Sequence, residues 1–161
     1  MLVKHLSKTA AVLTLAALSL TLSSCSEFPA DPDGTLDRVR GGTLRVGVSH
    51  SPPYIDVRGD EPAGSEAELV REFAAGLGAG VQWTDGGEEF LMDSLHRGEL
   101  DLVVGGLTDA APWTDKAALT RPYAEIPDSR GEPRKHVLAA PLGENAFLSV
   151  LEEFLEREAA P

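Results

Sequence analysis

Residues 95–108 read Leu95-His96-Arg97-Gly98-Glu99-Leu100-Asp101-Leu102-Val103-Val104-Gly105-Gly106-Leu107-Thr108, and this stretch decides the fold. Leu95 falls one helical turn after Leu91, so residues 88–97 read as a helix with both leucines facing inward. Gly98 is its stop. Residues 100–107 are then apolar enough for a central strand, which runs straight into the Gly105-Gly106 pair. Helix, glycine and buried strand in immediate succession belong to a sheet with helices packed on its faces.

Working outward supports the same architecture. Residues 43–49 alternate, with Leu44, Val46 and Val48 on one face, and predict a first strand. Ser51-Pro52-Pro53-Tyr54 breaks it into a loop. Ser65-Glu66-Ala67-Glu68 has the form of a capping box, with Ser65 as cap and Glu68 returning the bond. Leu69, Val70, Phe73 and Leu77 follow at helical spacing and Gly78 ends the element. Residues 81–83 predict a short second strand. Downstream, residues 137–140 predict another strand, and Pro141-Leu142-Gly143 turns the chain into a last helix from Glu144. Phe147, Leu148, Leu151, Phe154 and Leu155 form its apolar face, with Glu152, Glu153 and Glu156 opposite. The fold class is α/β, with a parallel or mixed sheet flanked by helices. No internal repeat is visible.

The first two dozen residues read as an address. Lys4, His5 and Lys8 precede a run of small and apolar residues that ends Leu22-Ser23-Ser24-Cys25, the layout of an export signal. The segment resembles the lipobox of bacterial lipoproteins, which implies that residues 1–24 are removed and that Cys25 carries lipid. Residues 25–40, rich in proline, glycine and acid, are expected to be a lipid-proximal tether. Removing residues 1–24 takes away Lys4 and Lys8 and no acid, moving the formal charge from -12 to -14. About 135 residues remain, enough for one compact domain. A chain this acidic has no electrostatic footprint for nucleic acid. Cys25 is the only cysteine and the four histidines lack paired ligand spacing, so neither a disulfide nor a metal site is expected. No cofactor fingerprint is present either. Attachment to the membrane is expected through the lipid, not through a helix.

The order of motifs points to a family. Gly42-Thr43-Leu44-Arg45-Val46-Gly47-Val48 followed by Pro52-Pro53-Tyr54, the helix ending Leu77-Gly78, Leu95 to Val103, Gly106-Leu107-Thr108 and Thr120-Arg121-Pro122-Tyr123 together resemble family 3 of the bacterial extracellular solute-binding proteins, the receptors of amino-acid ABC importers. The resemblance covers roughly residues 41–123, with a looser likeness over 136–155. It implies one lobe of a type 2 periplasmic-binding-protein fold over residues 41–161. It also implies an extracytoplasmic, substrate-binding role for a small polar or cationic solute, with a membrane transporter as partner.

Two departures from that family matter. Its members have two lobes, and the chain returns to the first only after building the second. Here only residues 124–135 separate Tyr123 from the returning strand, and they read as a loop that stands where a second lobe would be. Amino-acid binders of the family also carry an arginine seven residues beyond the glycine of the Gly-x-Thr turn, where it clamps the ligand carboxylate. Counting from Gly106 puts Trp113 there.

In such sheets ligands sit at the carboxyl ends of the strands. His50, Tyr54, Ser65, Glu66, Gly106, Thr108 and Trp113 should all reach that edge and are the candidate ligand-binding residues. The resemblance implies that Tyr54 packs on the ligand. Trp113 reads as an aromatic platform, a partner anchor or a structural tryptophan. Gly105-Gly106 allows close approach of backbone, by ligand or by a neighbouring loop. Thr108 offers a hydroxyl and an N–H. His50 and Glu66 could form an acid/base pair, but a solvated histidine beside a helix-start glutamate is the favoured reading. Ser51 has no nucleophile elbow. The expected role is therefore binding and not catalysis. The runner-up is a membrane-anchored accessory or sensory module whose exposed former cleft docks a partner.

Overall fold

The computed structural model describes residues 29–159, so the signal segment and Cys25 lie outside the described residues. The elements in chain order are α1 (Thr35–Val39), β1 (Thr43–Val48), α2 (Ser65–Gly76), β2 (Gly80–Asp85), α3 (Glu88–His96), β3 (Leu102–Val104), β4 (Ala118–Leu119), β5 (Ala124–Pro127), β6 (Pro133–His136), β7 (Ala139–Ala140) and α4 (Asn145–Ala159). Five strands form one sheet in the order β2-β1-β3-β7-β4, and β5-β6 form a separate hairpin. β1 runs parallel to β2 and to β3, while β7 is antiparallel to β3 and β4. The sheet is mixed, as expected.

The alternation in β1 explains the layers. Leu44, Val46 and Val48 join Val70, Phe73, Phe147, Leu151 and Phe154 in one core cluster, so α1, α2 and α4 cover that face. Val103 and Ala139 face the other way, against Leu91, Met92 and Leu95 of α3. Phe73 anchors the first cluster, its ring centroid 5.8 Å from Phe147 and 5.3 Å from Phe154. Gly47, in the middle of β1, lets α3 lie close: a side-chain carbon there would come within 3.0 Å of Leu91. Among the described residues no helix is long and apolar enough to cross a membrane.

Three expectations are corrected. Residues 124–135 are not a loop but most of the β5-β6 hairpin, whose turn is organised by Asp128. Its Oδ1 accepts from the N–H groups of Arg130 and Glu132, and Gly131 supplies the left-handed residue at φ 81°. The capping box is not formed either. Gly64 is the N-cap and Ser65 is already helical, with no side-chain cap bond.

The third correction concerns residues 29–40, which belong to the span expected to be a tether but are built into the lobe. Asp31 accepts from the N–H groups of Leu36, Ala146 and Phe147. Buried Glu144 accepts from those of Asp33 and Thr35. Two short acidic segments thus cap the starts of each other's helices, satisfying donors that a helix N-terminus otherwise leaves unpaired. Asp31→Ala should lower stability by about 1–2 kcal/mol in urea unfolding. A change below a few tenths would mean that the segment is loosely held.

Candidate functional site

The carboxyl ends of β1 and β3 converge on one edge of the sheet, and Glu66 sits beneath it. The residue occupies the second position of α2 and is 1 % exposed. One carboxylate oxygen accepts from the N–H groups of Gly105 at 2.8 Å and Gly106 at 2.9 Å. The other accepts from the Tyr123 hydroxyl at 2.6 Å. Glu66 therefore ties the start of α2 to the turn after β3 and to the segment leading into β5. Burial, then the adjacent Glu66 carboxylate, push the Tyr123 hydroxyl far above its ordinary value.

Tyr123 therefore stays neutral in the fold at a pH where an unfolded tyrosine ionises. A raised folded value contributes stability that is present below about pH 10 and fades as pH rises further. Tyr123→Phe should cost about 1–2 kcal/mol at pH 7 yet flatten the loss of stability above pH 10. Parallel alkaline limbs in wild type and variant would contradict this.

The Tyr54 ring stacks on buried His136, with centroids 4.5 Å apart, and its hydroxyl shares a 3.1 Å hydrogen bond with His136 Nε2. Nδ1 of His136 is buried without a partner among the described residues. Gly106 makes the arrangement possible. It has φ 70°, and a side-chain carbon there would come within 2.7 Å of the Tyr54 ring. The approach to the glycine pair is thus made by a neighbouring loop. The hairpin docks on the same edge: Thr108 bridges His136, the Asp109 N–H donates to the Lys135 carbonyl, and the Tyr123 N–H donates to the His136 carbonyl.

Tyr54, Glu66, Gly106 and Thr108 are brought together at this edge. His50 is not part of that group. It is exposed in the loop after β1, with Nδ1 3.4 Å from the Val57 N–H and 3.8 Å from the Asp56 carboxylate. No His50–Glu66 pair forms: the histidine is exposed and the helix-start glutamate is occupied by Gly105, Gly106 and Tyr123. Ser65 is exposed at the start of α2. With Glu66, Leu69, Tyr123, Ala124, Leu155 and Glu158 it lines a hollow of about 450 Å³ to one side of the edge. Trp113 is half-buried, and its indole N–H donates to Glu88 at the start of α3. Lys116 lies 5.5 Å from its ring centre and donates to Asp93 at 2.6 Å. Arg121 points to α4, where it binds Glu152 and Glu156.

His136 and Tyr123 were not among the candidates. His136 follows a basic, exposed stretch, but it stands at the entrance of an apolar run, and a histidine there is more often packed than solvated. Tyr123 ends the Thr120-Arg121-Pro122-Tyr123 motif and ties that segment to α2 through Glu66.

The profile of the bacterial extracellular solute-binding proteins, family 3, matches residues 44–135, more than half of the chain. The chain belongs to this family. Among solved structures, the arginine-bound form of domain 1 from TmArgBP superposes with a TM-score of 0.66 at 22% identity, covering 75% of this chain and 97% of that one. An ancestral cationic amino acid solute-binding protein gives 0.65 at 16% identity, over 76% of this chain and 93% of that one. Both likenesses are of fold, and the first is to a single domain. A curated relative, membrane-bound lytic murein transglycosylase F of Vibrio cholerae, is 34% identical over 100 residues, which are 61% of this chain. The matched region spans about a fifth of that protein, 19%. A second, from Stutzerimonas stutzeri, is 35% identical over 74% of this chain and 24% of its own length.

Proposed function

We propose that this family 3 protein is an extracytoplasmic, lipid-anchored lobe that binds a small polar or cationic solute at the carboxyl edge of its sheet, in the service of an ABC transporter. Cys25 would carry the lipid. Tyr54, Gly106 and Thr108 would form the floor of the site, Trp113 and His50 its rim, and Glu66 the support beneath. Residues 124–135 would stand where two-lobed members continue into their second lobe. The observation that carries this reading is the likeness to the arginine-bound form of domain 1 from TmArgBP. It supports the view that a lobe of this fold can hold a solute without a second lobe closing over it, although enclosure on one side only favours modest affinity.

The reading is one of binding without catalysis, in keeping with a family described as solute-binding proteins; the transglycosylase F relatives are matched over about a fifth of their length. Those relatives favour a second reading, an accessory or sensory module at the cell envelope that docks a partner. Thermal unfolding of residues 26–161 against amino acids, polyamines and metal cations separates the two. A ligand at a hundred times its Kd stabilises by about 2.7 kcal/mol, a readily measured rise in Tm. No rise with any ligand, from a folded monomer, contradicts the receptor reading and favours the docking module.

A further inference from the structure

Resting on the receptor reading, we infer that the site selects a cation that carries no carboxylate, an amine or guanidine, over the corresponding α-amino acid. Two successive N–H groups at a bent turn, such as those of Gly105 and Gly106, form an anion cradle. Here the cradle is filled from within, because Glu66 accepts both at 2.8 and 2.9 Å. A ligand carboxylate therefore loses these donors and meets a buried negative charge directly behind them.

The other means of holding a carboxylate is a cation, and those nearby are paired or turned away. Lys116 is bound to Asp93, and Arg58 to Asp56. Arg134 is bound to Asp128. Lys135 lies opposite Glu125 in the hairpin register, and alternation puts it on the face away from His136. Trp113 offers no charge and gives its N–H to Glu88. A carboxylate would be desolvated here with no counter-charge, whereas an ammonium or guanidinium would meet the Tyr54 ring in a chain of formal net charge -12.

The test is a calorimetric titration of residues 26–161 with four probes: arginine, arginine methyl ester, agmatine and cadaverine. Agmatine and the ester should bind at least tenfold more tightly than arginine. Glu66→Gln, which keeps the shape and removes the charge, should bring the agmatine-to-arginine ratio down at least threefold. The ratio is read within each protein, so a modest loss of stability does not disturb it. Arginine binding as tightly as agmatine overturns the inference and leaves the receptor reading standing. An unchanged ratio in Glu66→Gln overturns the role given to the internal carboxylate. Binding of none of the four contradicts both.

Discussion

Replacing Glu66 by alanine is expected to cost about 3–5 kcal/mol, a large share of a domain stability of about 5–15 kcal/mol. The reason is the number of donors that lose their acceptor together. The N–H groups of Gly105 and Gly106 and the hydroxyl of Tyr123 all converge on this one carboxylate. The site is buried, so water replaces the lost acceptor poorly, and each stranded group carries a penalty of about 1–3 kcal/mol. Glu66→Gln should recover most of the loss. Its amide oxygen can accept from both glycines while its NH₂ donates to the Tyr123 oxygen, leaving a cost of about 1 kcal/mol. Urea unfolding of the two variants measures both numbers. An alanine variant within about 1 kcal/mol of wild type would mean that Glu66 does not join α2 to the turn after β3.

The second large effect lies at the opposite edge of the sheet. Asp101, fully buried, accepts from Arg38, from the side chain of Arg45 and from the Arg45 N–H. It holds α1 and the start of β1 against the entrance of β3. Asp101→Ala should cost about 3–5 kcal/mol, because it leaves partly buried guanidinium groups without their counter-charge. Burial pushes the Asp101 carboxyl up, but the hydrogen bonds from Arg45 and Arg38 outweigh it and hold the group below its ordinary value. A lowered folded value contributes stability that is present above about pH 4 and is lost as pH falls further, since the unfolded chain takes up the proton first. Wild type should therefore lose stability below pH 4 more steeply than Asp101→Asn. Superimposable acid limbs would contradict this assignment.

Much of the framework was legible because it rests on local periodicity. Leu44, Val46 and Val48 alternate, Val70 and Phe73 fall on one helical face, and Phe147, Leu151 and Phe154 do the same in α4; all are in the core. What was not legible depends on contacts between distant segments. Residues 124–135 contain two prolines and a glycine, which read as a loop. They form a hairpin because Asp128 organises the turn and Thr108 and Asp109 hold its base. Asp31 and Glu144 look like ordinary loop acids until the two helix starts are brought together.

The site divides in the same way. Tyr54, Gly106 and Thr108 come from motifs with fixed positions relative to β1 and β3, and they meet as expected. Glu66 was named as a helix-start glutamate at the ligand edge, and its burial was not foreseen. Its place one turn before Val70 and two before Phe73, on the apolar stripe of α2, was the available signal that it is buried. The engagement of Trp113 with Glu88 has no such signal, since it depends on how the segment after β3 folds back over α3.

Under the proposed function, one edge of a single lobe receives the solute. Two-dimensional amide NMR of residues 26–161, titrated with agmatine and with arginine, tests it most directly. Saturable shifts are expected at the amides of His50, Ser51, Tyr54, residues 105–109 and Trp113 alone, larger at equal concentration with agmatine. Shifts centred instead on Leu69, Leu155 and Glu158, beside the hollow next to α4, or no shifts from a folded protein, would contradict it.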